Sequence, residues 1–357
     1  SQYEDGSKIL KALEAGEMFL EFQPEISFST GEILSYEALI RWKKDGKIIY
    51  PSDFLPLIKT SNTSTNIALF TIKEALLARK FWLENGINAK VRVNLSVKKL
   101  FTQEFWQKFK AIFEEDKGLD PTGLIIDVID AATATNLEIL EIYVRKYKEL
   151  GISFSLDDFA SYSSSIEALG MLKTNRFNID NKFCKHIFSS KEALESIHMI
   201  RFVADKFGLN TTIKNIDDKR TLEFLIGLGF DKFQGNIFSH ALLPQDAVAF
   251  KFKKPDDLEV KNYLDSDNFD VLRELVTIKE LANEVIANLK QSDQIPPKLK
   301  QKIENETKNT TKFNEEISIN LSKIASLDDS NEAYKIATSI IKECDINLGF
   351  SKEIRVE

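Results

Sequence analysis

Short runs rich in β-branched and aromatic residues alternate with longer amphipathic stretches between about residues 20 and 240. The runs lie at 91–97, 124–130, 153–159, 176–180, 210–216 and 230–235. Between them, stretches such as 66–86 repeat apolar residues at helical spacing, and this one closes on Gly86 as a helix does. The alternation predicts an α/β protein with a parallel sheet, and its length favours a TIM-like (β/α)8 barrel over an open sheet.

The pattern changes after residue 245, where polar residues surround Pro255. Apolar residues then recur every three or four positions from Leu275 to Leu289, which predicts an amphipathic helix. Pro296 and Pro297 interrupt this pattern, and two further helical patterns follow at 317–327 and 332–346. The helix at 275–289 is compatible with dimerisation, but about two heptads favour packing within the chain. The predicted organisation is a barrel at 1–248, a linker at 249–262 and an all-helical C-terminal region at 263–357.

Acids, amides and one lysine recur where the predicted strands end. They are Glu37, Asn94, Asp127, Asp157, Asp158, Asp180, Lys214 and Gln234. Any one of them is explained by capping of the next helix, but their repetition favours a shared pocket, because parallel barrel strands end at the same mouth. Carboxylate and amide oxygens without histidine suit Mg²⁺, Mn²⁺ or Ca²⁺, which commonly serve phosphate chemistry.

Composition excludes several classes of protein. The net charge of −7 opposes binding to nucleic acid or to anionic lipid, and no apolar run approaches the ~20 residues that span a bilayer. Cys184 and Cys344 lie far apart, and the three histidines lack metal-site spacing, so neither a disulfide framework nor a zinc site is indicated. These features favour a cytoplasmic protein. The start at Ser1 is typical of a fragment of a longer protein.

The segment FQPEISFSTGEILSYEALIRW at 22–42 resembles the signature of bacterial EAL-domain cyclic-di-GMP phosphodiesterases. The similarity continues in register from about residue 8 to about residue 245, through the motifs VNLS, DVID, LDDF, NID, IKNID and QGNIFSHAL. It implies a TIM-like barrel whose pocket binds cyclic-di-GMP. In active members two divalent metals, held by carboxylates and one asparagine, activate a water that attacks the phosphodiester.

Several positions that match the family's metal ligands are kept. Glu37, Asn94 and Asp157 are unchanged, and Asp158 corresponds to the second acid of the aspartate pair. The family's Glu-x-x-Glu segment has become Asp127 to Asp130, in which both acids are one methylene shorter. We therefore expect Glu37, Asn94, Asp127 and Asp157 to be the remnant of a metal site.

Other positions depart from the family's pattern. Asn178 replaces the catalytic lysine, and Lys214 replaces the glutamate that acts as general base. An ammonium cannot accept a proton, and it repels each unit of metal charge by about 4 kcal/mol at ~4 Å. Loop 159–163 also lacks its usual glycines, Lys59 stands in place of an acid and Ala241 in place of a proline. The resemblance thus predicts a degenerate member that is not an enzyme and needs no Mg²⁺, Mn²⁺ or Ca²⁺, with Lys214 as an internal cation among Glu37, Asp127 and Asp157.

Three functions are compatible with this pattern. The favoured one is a catalytically inactive cyclic-di-GMP receptor that signals through a protein partner. The alternatives are a nucleotide-independent adaptor and, least favoured, a phosphodiesterase with residual activity. If the nucleotide is bound, the residues expected to contact it are Gln23, Arg41, Asn94, Asp158, Asp217 and Gln234.

Overall fold

The computed structural model describes residues 2–58, 60–157, 162–311 and 314–350. The strands are β1 (Met18–Ser27), β2 (Ile33–Lys44), β3 (Lys47–Ile49), β4 (Lys90–Ser96), β5 (Leu124–Ile129), β6 (Ser153–Leu156), β7 (Arg176–Asp180), β8 (Asn210–Lys214) and β9 (Lys232–Gln234). The helices are α1 (Gln2–Glu14), α2 (Pro51–Phe54), α3 (Ser61–Glu84), α4 (Val97–Leu100), α5 (Gln103–Glu115), α6 (Leu137–Leu150), α7 (Tyr162–Met171), α8 (Lys191–Phe207), α9 (Lys219–Gly227), α10 (Pro244–Ala249), α11 (Ser266–Ser292), α12 (Pro297–Thr307), α13 (Glu315–Ala325) and α14 (Ser330–Asn347). None of the described helices combines the length and the apolar character needed to cross a bilayer.

Eight strands close into a barrel, which confirms the predicted fold class. From β2 through β4, β5, β6, β7 and β8 to β9, neighbouring strands run parallel. The barrel closes through β1, which runs antiparallel to both β2 and β9. β3 pairs with β2 alone and extends it as a hairpin.

β1 was not among the predicted strands, and its direction departs from the expected parallel sheet. Pro24 lies inside it, and a proline counts against a strand because it has no N–H to donate. Its polar residues Gln23 and Glu25 also alternate with apolar ones although almost the whole strand is buried. The proline is therefore the main reason that the sequence pattern did not predict this strand.

The barrel interior is polar because alternate side chains of each strand point inward. On four strands, two residues that are two positions apart both point inward, and each makes a hydrogen bond or an ion pair with a residue from another part of the barrel. These pairs are Gln23 and Glu25, Arg92 and Asn94, Arg176 and Asn178, and Thr212 and Lys214. The outward residues pack under the helices. For example, the rings of Phe22 on β1 and Trp82 on α3 meet edge to face, 4.9 Å apart.

The chain divides into two compact units. The first comprises residues 1–180, 207–217 and 231–256 and contains the barrel. The second comprises 181–206, 218–230 and 257–357, so most of α8 and the whole of α9 belong with α11–α14. The linear division at residues 248 and 262 stays a prediction.

Contacts within the second unit link α8 and α9 to the C-terminal helices. The imidazole of His198 on α8 stacks on the ring of Phe269 on α11, 3.9 Å away. Arg220 on α9 donates to the carbonyl of Leu348, just beyond α14. The predicted helix at 275–289 lies inside α11, which is longer because Asp265 caps its N-terminus by accepting from backbone N–H groups.

Candidate functional site

Polar side chains from several strands meet at the carboxyl ends of the parallel strands. Lys214 and Gln234 are the last residues of β8 and β9, and Asp157 directly follows β6. Asn94 and Asp127 are register partners on β4 and β5. The sequence therefore brings these side chains to one mouth of the barrel because their strands end there.

The Lys214 ammonium lies between two carboxylates. Its Nζ is 2.9 Å from Oε1 of Glu37 and 3.3 Å from Oδ1 of Asp157. Lys214 is only 8% exposed, and Glu37 is also buried. The side chain points inward because Thr212, two residues earlier on β8, also points inward and donates to Glu25.

Glu37 is held by several donors. Asn94 Nδ2 donates to its Oε1 at 2.8 Å, and Gln234 Nε2 donates to its Oε2. Gln234 also donates to Oε1 of Gln23 at 3.2 Å. Both carboxylate oxygens of Glu37 are thus occupied by hydrogen-bond donors of this chain.

Arg92 is a second interior cation that the sequence interpretation did not identify. Its guanidinium is fully buried and donates to Asp127 Oδ2 at 3.1 Å, to Glu25 Oε2 at 2.6 Å and to Gln234 Oε1 at 2.9 Å. A signal was available, because Arg92 lies two residues before Asn94 and so shares its face of β4. Lys214 was expected to lie among Glu37, Asp127 and Asp157. Its hydrogen bonds go to Glu37 and Asp157, and Arg92 is the residue that donates to Asp127.

The cations control the charge state of the buried acids. Burial acts to raise the pKa of Glu37, but Lys214 and Arg92 outweigh it and lower that pKa to about 2. Burial also raises the pKa of Asp127, and here Arg92 and Lys214 do not fully offset it. Burial opposes the charged form of Lys214, but Glu37 and Asp157 together raise its pKa above the ordinary value. The site is therefore a charged network in which Glu37 stays ionised and Lys214 protonated.

The donor set has the chemistry of a divalent-metal site, but its present arrangement does not fit one. Among the described residues no group of three or more acids, histidines or cysteines is placed to hold a metal. Lys214 contacts two of the carboxylates, and an ion between them would meet about 4 kcal/mol of repulsion per pair of unit charges ~4 Å apart. Loss of the metal stays a prediction.

Three buried oxygens lie in or beside this network without a hydrogen-bond partner among the described residues. They are Oδ1 of Asn94, Oδ1 of Asp127 and Oδ1 of Asn178. Asn178 uses its Nδ2 to donate to Asp157 Oδ1 at 3.3 Å, so a neutral amide lies beside that carboxylate. Asp130, which the resemblance matches to a second acid, is exposed, and Ser96 donates to it at 3.5 Å.

A polar cavity of about 610 Å³ adjoins this network through Gln23. Of the residues predicted to contact a nucleotide, it is lined by Gln23, Arg41 and Asp217. Asn94 and Gln234 lie in the interior network instead, and Asp158 lies outside the described residues. So do Lys59 and the first part of loop 159–163.

Groups of this chain already hold the polar side chains of the cavity. Arg41 Nε donates to Glu21 Oε2 at 2.8 Å, and its guanidinium lies 4.9 Å from the centre of the Tyr50 ring. Gln23 Nε2 donates to Asn236 Oδ1 and to the carbonyl of Ser239, each at 3.1 Å. Glu21, Tyr50, Asn236 and His240 line the cavity, and the sequence interpretation did not identify them.

Comparison with known proteins identifies a family. The model of the EAL domain family matches residues 7–241. The cyclic di-GMP phosphodiesterase PdeR of Escherichia coli is 25% identical over 246 residues, which cover 69% of this chain and 36% of PdeR. The bifunctional diguanylate cyclase/cyclic di-GMP phosphodiesterase MucR of Pseudomonas aeruginosa is 23% identical over 241 residues, covering 67% and 35%. The chain spans about a third of the length of these relatives.

Solved structures share the barrel. The PaMucR phosphodiesterase in its c-di-GMP complex has a TM-score of 0.62 and 22% identity, covering 68% of this chain and 99% of that one. The Xanthomonas citri FimX EAL domain in complex with c-diGMP has a TM-score of 0.59 and 17% identity, covering 68% and 95%. At these identities the likeness is one of fold.

Proposed function

The chain belongs to the EAL domain family, and we propose that it is a member that binds cyclic-di-GMP without hydrolysing it and signals through a protein partner. The observation that carries this proposal is the Lys214 ammonium, 2.9 Å from Glu37 and 3.3 Å from Asp157. The charge that a metal would supply to these acids is then supplied by the chain itself. Hydrolysis would lack both the metal and a general base at this position.

The neighbouring residues support the loss of chemistry. A protonated Lys214 has no lone pair with which to accept a proton from water. Asn178, beside Asp157, is neutral, whereas the family resemblance expects a lysine at this position. Loss of one preorganised charge typically lowers the rate about 10²–10³-fold. Residual phosphodiesterase activity is therefore the least favoured of the three functions.

The cavity beside the network supports nucleotide binding. Arg41 offers a guanidinium that can pair with phosphate oxygens in a bidentate way, and Asp217 offers an acceptor for a guanine edge. Neither of these contacts with the nucleotide requires a bound metal. Two of the structural relatives are described as complexes with cyclic-di-GMP, and the barrel that they share with this chain makes the same nucleotide the first candidate.

A protein partner is supported by an exposed apolar pair on α8. Met199 and Phe202, one helical turn apart, are 53% and 56% exposed. Large apolar side chains grouped on one face favour contact with another protein.

A second candidate function is a nucleotide-independent adaptor. It is favoured by the ion pair of Arg41 with Glu21 and by the hydrogen bonds of Gln23 within the chain. A nucleotide would have to displace these contacts. The adaptor would use the same protein-binding face without any ligand in the cavity.

Calorimetric titration with cyclic-di-GMP, in EDTA and again in Mg²⁺, tests the proposal. We expect saturable binding below about 100 μM in both buffers, with no linear dinucleotide formed in Mg²⁺. Asp217→Ala should weaken binding about tenfold, because the exposed Asp217 lines the cavity, whereas the exposed Asp256, outside it, serves as the control in Asp256→Ala. No binding in either buffer would favour the adaptor. Hydrolysis at an ordinary enzyme rate would contradict the proposal that the chain does not hydrolyse the nucleotide.

A further inference from the structure

A second cavity, of about 980 Å³, lies at the opposite end of the barrel from Lys214. Its lining includes the first residues of five parallel strands, whereas Lys214 and Gln234 are last residues. These first residues are Lys90, Ser153, Arg176, Asn210 and Lys232. The cavity is therefore separate from the family's site, which lies at the carboxyl ends of the strands.

The cavity is positively charged although the chain is acidic. Five lining residues are cationic, namely Lys90, Lys148, Lys173, Arg176 and Lys232, and Glu32 is the one acid among the described residues that line it. The whole chain has a net charge of −7. The sign of the charge at this cavity is therefore opposite to that of the chain as a whole.

Several of these cations are not neutralised locally. Arg176 pairs with the buried Glu25 at 2.6 Å, and Lys173 pairs with Glu141 at 3.3 Å. Within the described parts of the chain, Lys90, Lys148 and Lys232 have no carboxylate at ion-pair distance. They leave the cavity with an excess of positive charge.

Two details show a cost that an anion would relieve. Burial lowers the pKa of Lys232, and the positive charge of Arg176 lowers it further. The Nε of Arg176 is buried and has no hydrogen-bond partner among the described residues. Lys232 donates to Asn210 Oδ1 at 2.8 Å, a neutral acceptor, and the carboxylates of Glu25 and Asp231 offset only part of the effect of burial and Arg176 on its pKa.

The rest of the lining is largely apolar. It includes Ile125, Phe154, Ile166, Leu169 and Phe207. Two of these, Ile166 and Phe207, expose 43% and 69% of their surface, so they have apolar area available to a ligand. The volume lies within the range of about 300–1,000 Å³ that is usual for small-molecule sites.

We propose that this cavity binds a small organic anion with an apolar body, the acid group held by Lys90 and Lys232 and the body packed against Phe207 and Ile166. A different role for the lysines is to stabilise helix ends by donating hydrogen bonds to carbonyl groups there. Lys148 makes such a bond to the carbonyl of Lys173, just beyond α7. The two roles predict different effects of charge removal.

Fluorescence titration with the sulfonate 8-anilinonaphthalene-1-sulfonate and its uncharged analogue N-phenyl-1-naphthylamine tests the proposal on the full chain. We expect the anion to bind about tenfold more tightly than the neutral analogue. The double variant Lys90→Gln/Lys232→Gln should weaken anion binding at least about fivefold, because it removes two charges at the cavity. The matched control is Lys108→Gln/Lys110→Gln, which removes two lysines of α5 that pair with Glu104 and Glu114 and do not line the cavity.

A second pair of variants tests the apolar contact. Phe207→Ser should weaken binding of both probes, whereas Phe202→Ser, at an exposed position of α8 outside the cavity, should not. Equal losses from the two phenylalanine variants would overturn the proposal, because the probe would then be bound to general surface. Lysine variants with a lower melting temperature but unchanged anion affinity would also overturn it, in favour of the helix-end role.

Discussion

Lys214 interrupts a β-branched run on β8, yet it is only 8% exposed and contacts two carboxylates. Removing one partner of a buried charge pair is costly, because the remaining charge is left in a poorly solvated place. The loss of stability when Lys214 is replaced therefore tests whether the lysine acts as an internal cation. Substitution of an exposed lysine, by contrast, is expected to change the free energy of unfolding by no more than about 0.5 kcal/mol.

Lys214→Ala should lower the free energy of unfolding by about 3–5 kcal/mol, measured by urea denaturation in chelator. Lys214→Met, which keeps most of the side-chain volume, should be destabilised nearly as much if charge is the cause. Lys98→Ala, at an exposed position, is the control. Wild-type stability of both Lys214 variants would show that the ammonium is not needed to hold the acids together.

At the scale of elements, close backbone approach fixes the end of β9. A Cβ at Gly235 would lie 2.0 Å from the carbonyl oxygen of Ile216, which is backbone and cannot rotate away. Gly235 follows Gln234, which donates to Glu37, so this approach positions part of the site. A glycine is therefore required where β9 passes the segment that follows β8.

Gly235→Ala should destabilise the fold by more than about 2 kcal/mol in urea denaturation, because the backbone must shift. Gly170→Ala is the matched control, since nothing lies within 4 Å of its added Cβ and alanine favours the helix α7. Equal stabilities of the two variants would contradict the close approach.

At the scale of the whole molecule, the buried network links stability to pH. Burial opposes ionisation of Glu25, but Arg92 and Arg176 lower its pKa to about 2, as Lys214 and Arg92 do for Glu37. Because these folded-state pKa values lie below the ordinary 4.5, the two acids stabilise the fold above that pH. Their contribution is lost as the pH falls from about 4.5 towards 2. Asp127, whose pKa is raised, acts in the opposite direction.

Urea denaturation near pH 7, 5 and 3 should therefore show a loss of stability concentrated below about pH 4.5. Glu37→Gln should lose less between about pH 5 and 3 than the wild type, because one of the acids that must be protonated is gone. An equal loss in both proteins would exclude Glu37 as a source of the acid sensitivity. Asp53→Asn, at an exposed position of α2, is the control for removal of a carboxylate.

The periodic pattern and the strand-end motifs were enough to predict the barrel. Strand β7 was predicted with its observed ends, and the other predicted strands overlap β4, β5, β6, β8 and β9. β1 was missed because Pro24 lies inside it. A proline is rare inside a strand, so the local pattern counted against a strand that barrel closure nevertheless requires.

The chemistry of single positions was determined by the sequence: a lysine and an asparagine stand where the family resemblance expects a glutamate and a lysine. Only the tertiary structure decided which charges meet. Arg92 donates to Asp127 and Glu25, which lie 35 and 67 residues away, and Lys214 reaches Glu37 across 177 residues. Contacts at such separations depend on barrel closure and strand register, which no local pattern encodes. The same reason explains why the cationic cavity at the opposite end became visible only in three dimensions.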